Sequence, residues 1–145
     1  MDPVVLRILL VVGLLVATVA FGRWWQHRDG RVRAAGDDVR LHPDDLAAVG
    51  LDLTGARAGA VLLGSPTCTP CTSVKRLLGE VTAERDGFRW VYADAADHLE
   101  LAETHRVLRV PTLFVVDGEG RVLARTSGVP AKDDLLATVD GSVAA

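Results

Sequence analysis

The chain has 145 residues, which is enough for one domain of ordinary size. Its mean hydropathy of +0.24, with 49% hydrophobic residues, indicates a concentrated apolar region, while its 24% of charged residues excludes disordered and collagen-like classes. Two cysteines are too few for a disulfide-stapled miniprotein, and a net charge of -3 gives no electrostatic reason to expect nucleic acid as a partner.

The excess hydrophobicity lies at the N-terminus, where residues 8–22 carry no charge. As a helix, the wider stretch of residues 4–25 would reach roughly 33 Å, which matches a hydrocarbon core of about 30 Å. Trp24 and Trp25 stand where an aromatic belt is expected. We therefore predict a transmembrane anchor over residues 1–22, with residues 4–25 in contact with membrane lipid. A cleaved secretory signal peptide is the alternative.

The charges that flank the apolar stretch predict its orientation, because positive charge near the end of a span is retained on the cytoplasmic side. Arg7 and the amino group precede the uncharged run. The arginines that follow it are Arg23, Arg28, Arg31, Arg33 and Arg40. This asymmetry predicts a single-pass protein of the cell membrane with its C-terminal domain in the cytoplasm, and the extracytoplasmic side is the alternative.

Residues 23–42 are rich in Arg, Gly and Asp and show no apolar period, so we predict a basic juxtamembrane linker there. The charge then reverses along the chain. Residues 1–43 carry 6 Lys and Arg against 4 Asp and Glu, giving +2, whereas residues 44–145 carry 10 against 15, giving -5. The reversal predicts a separate acidic domain over residues 43–145.

Apolar spacing within this domain predicts alternating helices and strands. The predicted helices cover residues 43–49, 70–84, 97–105 and 131–139, and the predicted strands cover residues 58–64, 88–93, 112–116 and 121–126. Asp97, with Glu100 three residues on, is the predicted cap of the third helix. The turn Asp117-Gly118-Glu119-Gly120 joins the last two strands into a hairpin. This order predicts an α/β domain with a mixed sheet flanked by helices.

The motif Cys68-Thr69-Pro70-Cys71 carries the chemistry, because it follows the first predicted strand and opens the longest helix of the domain. Two intervening residues let both sulfurs meet across one turn, and a helix N-terminus stabilises a thiolate. Cys68, at the turn, is expected to be the exposed sulfur, and Pro70 suits the first helical turn. A single CxxC is also half of a zinc site or a merely structural disulfide. We predict no metal site, since there is no second CxxC and the four histidines show no ligand pairing.

A second motif, Val110-Pro111-Thr112, lies immediately before an apolar predicted strand. A proline is tolerated at a strand start because it cannot donate to the ladder, but the upstream CxxC favours a cis proline that faces the sulfurs. With these two motifs in this order, the sequence resembles the thioredoxin superfamily. The resemblance includes the Asp-Gly-Glu-Gly hairpin and Gly128 and covers roughly residues 44–140. Within that superfamily, the sequence most resembles the small membrane-tethered thioredoxin-like proteins of bacteria.

The resemblance implies a thioredoxin-like fold and a thiol-disulfide oxidoreductase. In that role the Cys68 thiolate attacks a disulfide of a protein partner, and Cys71 resolves the mixed disulfide, while the reverse sequence oxidises a dithiol. The residues implied to contact substrate are Val110, Pro111, Thr67 and Pro70. The implied partners are protein dithiols and disulfides and a redox partner, for which an integral membrane protein is one candidate. No cofactor is implied beyond the Cys68-Cys71 disulfide itself.

Three positions depart from the family pattern. Thr67 stands where thioredoxins usually have Trp, and Leu62 stands six residues before Cys68, where a buried Asp serves proton transfer. Trp90 is apolar where a partner lysine is expected. Asp94 could stand near the site, although an exposed Asp that leads into a helix is the favoured interpretation. These departures leave an alternative function open, namely a binding or redox-sensing module that docks an integral membrane partner with little turnover.

Overall fold

The computed structural model describes residues 2–29, 31–36 and 39–144, with the backbone alone for residues 26–29 and 142–144. The helices in this part of the chain are α1 (Pro3–Asp29), α2 (Pro43–Val49), α3 (Thr69–Glu84), α4 (Leu99–Thr104) and α5 (Lys132–Ala144). The strands are β1 (Arg33–Ala34), β2 (Ala58–Gly64), β3 (Phe88–Asp94), β4 (Thr112–Asp117) and β5 (Val122–Ser127). The predicted anchor, linker and domain also include Met1, Gly30, Asp37, Asp38 and Ala145, which lie outside the described residues.

Helix α1 begins at Pro3 and continues to Asp29, seven residues past the predicted end of the anchor. Its side chains from Pro3 to Trp25 are exposed, although nearly all of them are apolar. By length and composition, the segment Pro3–Trp25 can cross a membrane, and a secretory signal sequence meets the same criterion.

The strands form one mixed sheet in the order β1-β5-β4-β2-β3. Strand β2 pairs with β3 in parallel and with β4 antiparallel, so β2 lies inside the sheet. All seven residues of β2 are buried, as expected of a strand that is covered on both faces. The predicted helix-flanked mixed sheet is therefore confirmed.

Alternate residues of the strands face two separate apolar clusters, one on each side of the sheet. On one side Leu62 and Leu113 pack with α3 and α5, and on the other Leu63 and Phe114 pack with α2 and α4. The Ala58-to-Gly64 run is uniformly apolar because both of its faces are covered.

The segment predicted as a linker contains β1, whose Arg33 and Ala34 pair with Arg125 and Ala124 of β5. Nearby, the Val122 amide donates to the Val39 carbonyl at 2.8 Å. Sequence composition does not reveal this pairing, because main-chain hydrogen bonds to an edge strand require no apolar period.

Helix α4 is shorter than the predicted helix over residues 97–105, and its N-cap is His98 instead of Asp97. Asp97 belongs to the turn that leaves β3, where its amide donates to the Asp94 carbonyl at 3.1 Å. The Asp97 and Glu100 spacing, which is typical of a capping box, therefore led to a wrong N-cap, because Asp97 is part of the preceding turn.

Replacing Leu78 with alanine is expected to lower the free energy of unfolding by about 2 to 5 kcal/mol, since the buried side chain leaves a cavity when truncated. Leu78 is 0% exposed and lies on the face of α3 that packs against the sheet. The midpoint of urea unfolding, followed by circular dichroism in a fixed detergent, measures the change. Arg76→Ala, on the exposed face of the same helix, is the control and should change stability by less than about 0.5 kcal/mol. Equal midpoints for the two variants would contradict this packing.

Candidate functional site

The two cysteines lie where β2 leads into α3. After β2 ends at Gly64, the Cys68 amide donates to the Ser65 carbonyl at 3.1 Å and closes a tight turn. Cys68 is the N-cap residue of α3, and Pro70 lies in the first turn of that helix, where its missing N–H is not needed. The structure holds Cys68 and Cys71 as a disulfide, with their Cα atoms 5.4 Å apart.

The two sulfurs differ in exposure, and both lie at the positive N-terminal end of α3. Cys71 is 2% exposed, whereas Cys68 is partly exposed at the start of the helix. The first turn of α3 contains no acidic residue, so no neighbouring carboxylate on that turn opposes the positive end of the helix dipole. An N-terminus of this kind stabilises a thiolate, and Cys68 is the sulfur that a partner molecule can reach.

Gly64 makes the close packing around Cys71 feasible. A Cβ atom at this position would lie 2.9 Å from Cys71 Sγ and 2.6 Å from Tyr92 Cε2, so any side chain would collide with both. The missing side chain therefore lets the Tyr92 ring of β3 approach the buried sulfur.

Tyr92 also contacts a cation, because Lys75 Nζ lies 3.5 Å from the centroid of its ring. Lys75 follows Cys71 by four residues on α3, so both side chains lie on the same face of that helix. Burial raises the pKa of the Tyr92 phenol, and the charges of Asp94 and Asp97 raise it further. Tyr92 is therefore a neutral platform for the Lys75 ammonium group beside Cys71.

Sequence reasoning missed this pair, because it considered Trp90 as the position of a partner lysine and did not consider Lys75 or Tyr92. Trp90 pairs with Ala60 in the sheet, and it is Tyr92 that pairs with Leu62. The available signal was the i, i+4 spacing of Cys71 and Lys75, which gains meaning only when Tyr92 is known to lie opposite. Asp94 pairs with Gly64 at the end of β3, and its side chain accepts a hydrogen bond from the Ala96 amide at 2.9 Å.

The segment before β4 reaches the same end of the sheet. Thr112 pairs with Leu63 of β2, so the buried Pro111 immediately before it lies near the point where β2 ends. The Val110-Pro111 peptide bond is cis. The Pro111 carbonyl accepts a hydrogen bond from the Gly128 amide at 2.9 Å, and the Thr112 hydroxyl donates to the Arg109 carbonyl at 2.7 Å. These two bonds hold the segment in place.

Apolar side chains are exposed at this end of the domain, together with polar ones. Thr67 and Pro70 are exposed next to the cysteines, and Val110 is partly exposed. Leu108 is 94% exposed in the loop before Pro111, and Val129 is 42% exposed just after Gly128. Sequence analysis did not single out Leu108 and Val129, because an apolar residue in a loop is not informative until its exposure is known.

Within the described residues, no group of three or more His, Cys, Asp or Glu side chains could hold a metal ion. The chemistry that this arrangement offers is that of a dithiol and its disulfide.

The sequence matches no protein-family profile and no curated protein. The fold resembles that of solved thioredoxins. Chloroplastic thioredoxin z has a TM-score of 0.58 and 20% identity, and the match covers 78% of this chain and 100% of that one. Mitochondrial thioredoxin 3 from Saccharomyces cerevisiae, in its oxidised form, has a TM-score of 0.52 and 16% identity over 61% of this chain and 82% of its own.

A third similar structure is thioredoxin-2, described as a component of the malaria parasite protein secretion machinery. It has a TM-score of 0.53 and 17% identity over 59% of this chain and 82% of its own. These identities are low, so the likeness concerns the fold alone. The chain therefore has a thioredoxin-like fold.

Proposed function

We propose that the protein is a membrane-tethered thiol-disulfide oxidoreductase that exchanges disulfides with protein substrates through Cys68 and Cys71. One observation carries the proposal. A partly exposed Cys68 is disulfide-bonded to a buried Cys71 at the N-terminus of α3, within a thioredoxin fold. A structural disulfide needs neither the accessible sulfur nor the helix N-terminus, whereas thiol exchange uses both.

The exchange proceeds in two balanced steps. The Cys68 thiolate attacks a substrate disulfide, forming a mixed disulfide and releasing one substrate sulfur as a thiolate that takes a proton. Cys71 then loses its proton and attacks the sulfur of Cys68, which releases the second substrate thiol and leaves the Cys68-Cys71 disulfide. The substrate gains two electrons and two protons, and the protein loses the same. The reverse sequence oxidises a substrate dithiol.

The substrate segment is proposed to lie along Val110 and Pro111. The main chain of Val110 can pair with an extended peptide as an added strand would, and the exposed Thr67 and Pro70 border the same sulfurs. The exposed Leu108 side chain extends this apolar surface. Main-chain pairing with an apolar border suits protein segments around a cysteine and does not demand one particular sequence.

The direction of exchange follows from the side of the membrane. The arginines after the apolar helix favour the cytoplasm, where a reducing environment makes substrate reduction the expected direction. On the extracytoplasmic side, the same residues would reduce disulfides of exported proteins that need free cysteines, or would maintain disulfides. Either direction needs a redox partner to regenerate the dithiol or the disulfide, and an integral membrane protein is a candidate.

The full chain in a nonionic detergent is expected to accelerate the reduction of insulin by dithiothreitol, measured as the rate of insulin precipitation. Cys68→Ser should reduce the rate to that of dithiothreitol alone, because the attacking thiolate is lost. The full chain is used because β1 belongs to the sheet. A wild-type rate no higher than that of Cys68→Ser would contradict the proposal.

Leu62 favours a second candidate function, a binding or redox-sensing module with little turnover, because this buried position offers no proton acceptor to the resolving thiol. Trapping distinguishes this module from an enzyme. Cys71→Ser should accumulate mixed disulfides with protein substrates on non-reducing gels if Cys68 attacks them. A docking module would bind its partner equally well with both cysteines replaced.

Lys75 is proposed to assist Cys71 by stabilising its thiolate, whereas the proton itself passes to water because Leu62 offers no acceptor. The contacts of Tyr92 with Lys75 and with the space at Gly64 place Lys75 Nζ no more than about 10 Å from Cys71 Sγ. A positive charge on this side of the sulfur favours the thiolate over the thiol. Tyr92 fixes the ammonium group on this side of α3.

Lys75→Gln is therefore expected to slow the resolving step selectively. When the reduced protein reacts with Ellman's reagent, the first release of thionitrobenzoate reports attack by Cys68, and the second reports attack by Cys71 on the mixed disulfide. The pH at half-maximal rate of the second phase should rise, because the thiolate of Cys71 loses a neighbouring positive charge, and the rate of the first phase should change less than about twofold. Arg76→Gln removes the same charge from the neighbouring position and is the control. An equal shift in both variants, or none in Lys75→Gln, would refute the assignment.

Cysteine labelling tests the proposed membrane topology in chains that lack Cys68 and Cys71. With a membrane-impermeant maleimide on intact cells, Asp2→Cys is expected to be labelled and Gly30→Cys to be protected, because positive charge retains the domain side in the cytoplasm. The reverse pattern would place the domain outside. A mature chain that lacks residue 2 would identify α1 as a cleaved signal.

A further inference from the structure

A cavity of about 320 Å³ lies between the edge of the sheet and the end of α4. It is on the face of the sheet opposite α3, since Phe114 forms part of its wall and belongs to the cluster that packs with α2 and α4. Its basic lining residues are Arg33, His105, Arg106 and Arg125, and its apolar lining includes Val39, Phe114 and Val122. No carboxylate is among the described residues that line it.

The guanidinium group of Arg125 is held in a fixed position at the wall of this cavity. Its Nη1 and Nη2 donate to the carbonyls of His105 and Arg106, at 2.6 Å and 2.9 Å. Its Cζ lies 5.2 Å from the centroid of the Phe114 ring. Burial lowers the pKa of Arg125, which reflects a cation that has lost solvent without gaining a carboxylate. The third nitrogen, Nε, is not used by these two hydrogen bonds.

Two further arginines add positive charge that the described residues do not neutralise. Arg33 lies directly opposite Arg125 across the β1-β5 pair, an arrangement of like charges that costs stability. Arg106 has a φ of 49°, in the left-handed region where a glycine is the cheaper residue. Among the described residues, no carboxylate lies within 4.0 Å of any of the three guanidinium groups. An anion in the cavity would relieve this repulsion.

We propose that this cavity binds the phosphate group of an anionic lipid headgroup, with Arg33 and Arg106 as its principal ligands. The source of the phosphate rests on the proposed membrane tethering and is independent of the thiol chemistry. Between Trp25 and Arg33 the chain has four helical residues, to Asp29, and three more. This connection spans at most about 20 Å, so the cavity can reach the headgroups that surround the span. Phe114 and Val122 offer an apolar wall to the glycerol part of the lipid.

The test uses the full chain in nonionic detergent micelles, titrated separately with short-chain phosphatidylglycerol, short-chain phosphatidylcholine and inorganic phosphate. The Nε–Hε signal of Arg125 in NMR spectra reports occupancy of the cavity. Phosphatidylglycerol is expected to shift this signal saturably and at lower concentration than phosphatidylcholine. Arg33→Gln combined with Arg106→Gln should weaken binding by about tenfold or more, since each arginine near a headgroup contributes about one kcal/mol.

Arg23→Gln combined with Arg31→Gln is the matched control, because it removes two charges from the same juxtamembrane stretch outside the cavity. Its affinity should stay within about twofold of the unmodified chain if binding is local. An unchanged first phase with Ellman's reagent verifies that each variant is folded. Tighter binding of inorganic phosphate than of phosphatidylglycerol would support the phosphate site and overturn its lipid source. Equal losses in both double variants, or no saturable shift with any ligand, would overturn the site itself.

Discussion

The hydrogen bonding of β2 on both of its edges is the constraint on which the rest of the domain depends. Parallel pairing with β3 brings Tyr92 beside Leu62, and antiparallel pairing with β4 brings Thr112 beside Leu63. Because both registers end together, the turn after β2, the end of β3 and the segment before β4 converge at one end of the sheet. A shift of one residue in either pairing would turn the paired side chains to the opposite face. The redox pair therefore depends on a strand that contains neither cysteine.

The core explains why the strand is apolar throughout and why it ends where it does. Leu62 and Leu63 point to opposite faces, and each is fully buried under a helical layer. Gly64, the last residue of β2, has no side chain, and the Cys71 sulfur and the Tyr92 ring occupy the volume that a side chain would fill. Gly64 therefore contributes both to the packing of the strand end and to the surroundings of the Cys71 sulfur.

The sequence was sufficient for the central strands, the long helix and the CxxC, because these depend on short-range apolar spacing and on a helix N-terminus. It was insufficient for β1. Arg33 and Ala34 pair through their main chains, so they show no apolar pattern that could be recognised in the sequence. The Lys75-Tyr92 contact could not be predicted from the sequence either, because it depends on which residue of β3 lies opposite α3. Asp97 was wrongly predicted as a helix cap, because turn residues and capping residues share the same chemistry.

The pairing of β1 with β5 has a consequence for the encounters of a chain anchored in a membrane. If the chain is anchored as proposed, the short connection would leave the domain little freedom to move away from the bilayer. Its effective concentration would then be high toward molecules at that surface and low toward distant ones. Geometry would then partly determine which partners react. Cys68 would collide often with a partner cysteine close to the bilayer, and seldom with an equally reactive cysteine far from it. In the proposed membrane-tethered oxidoreductase, these two residues of an edge strand would set the distance from the bilayer at which exchange takes place.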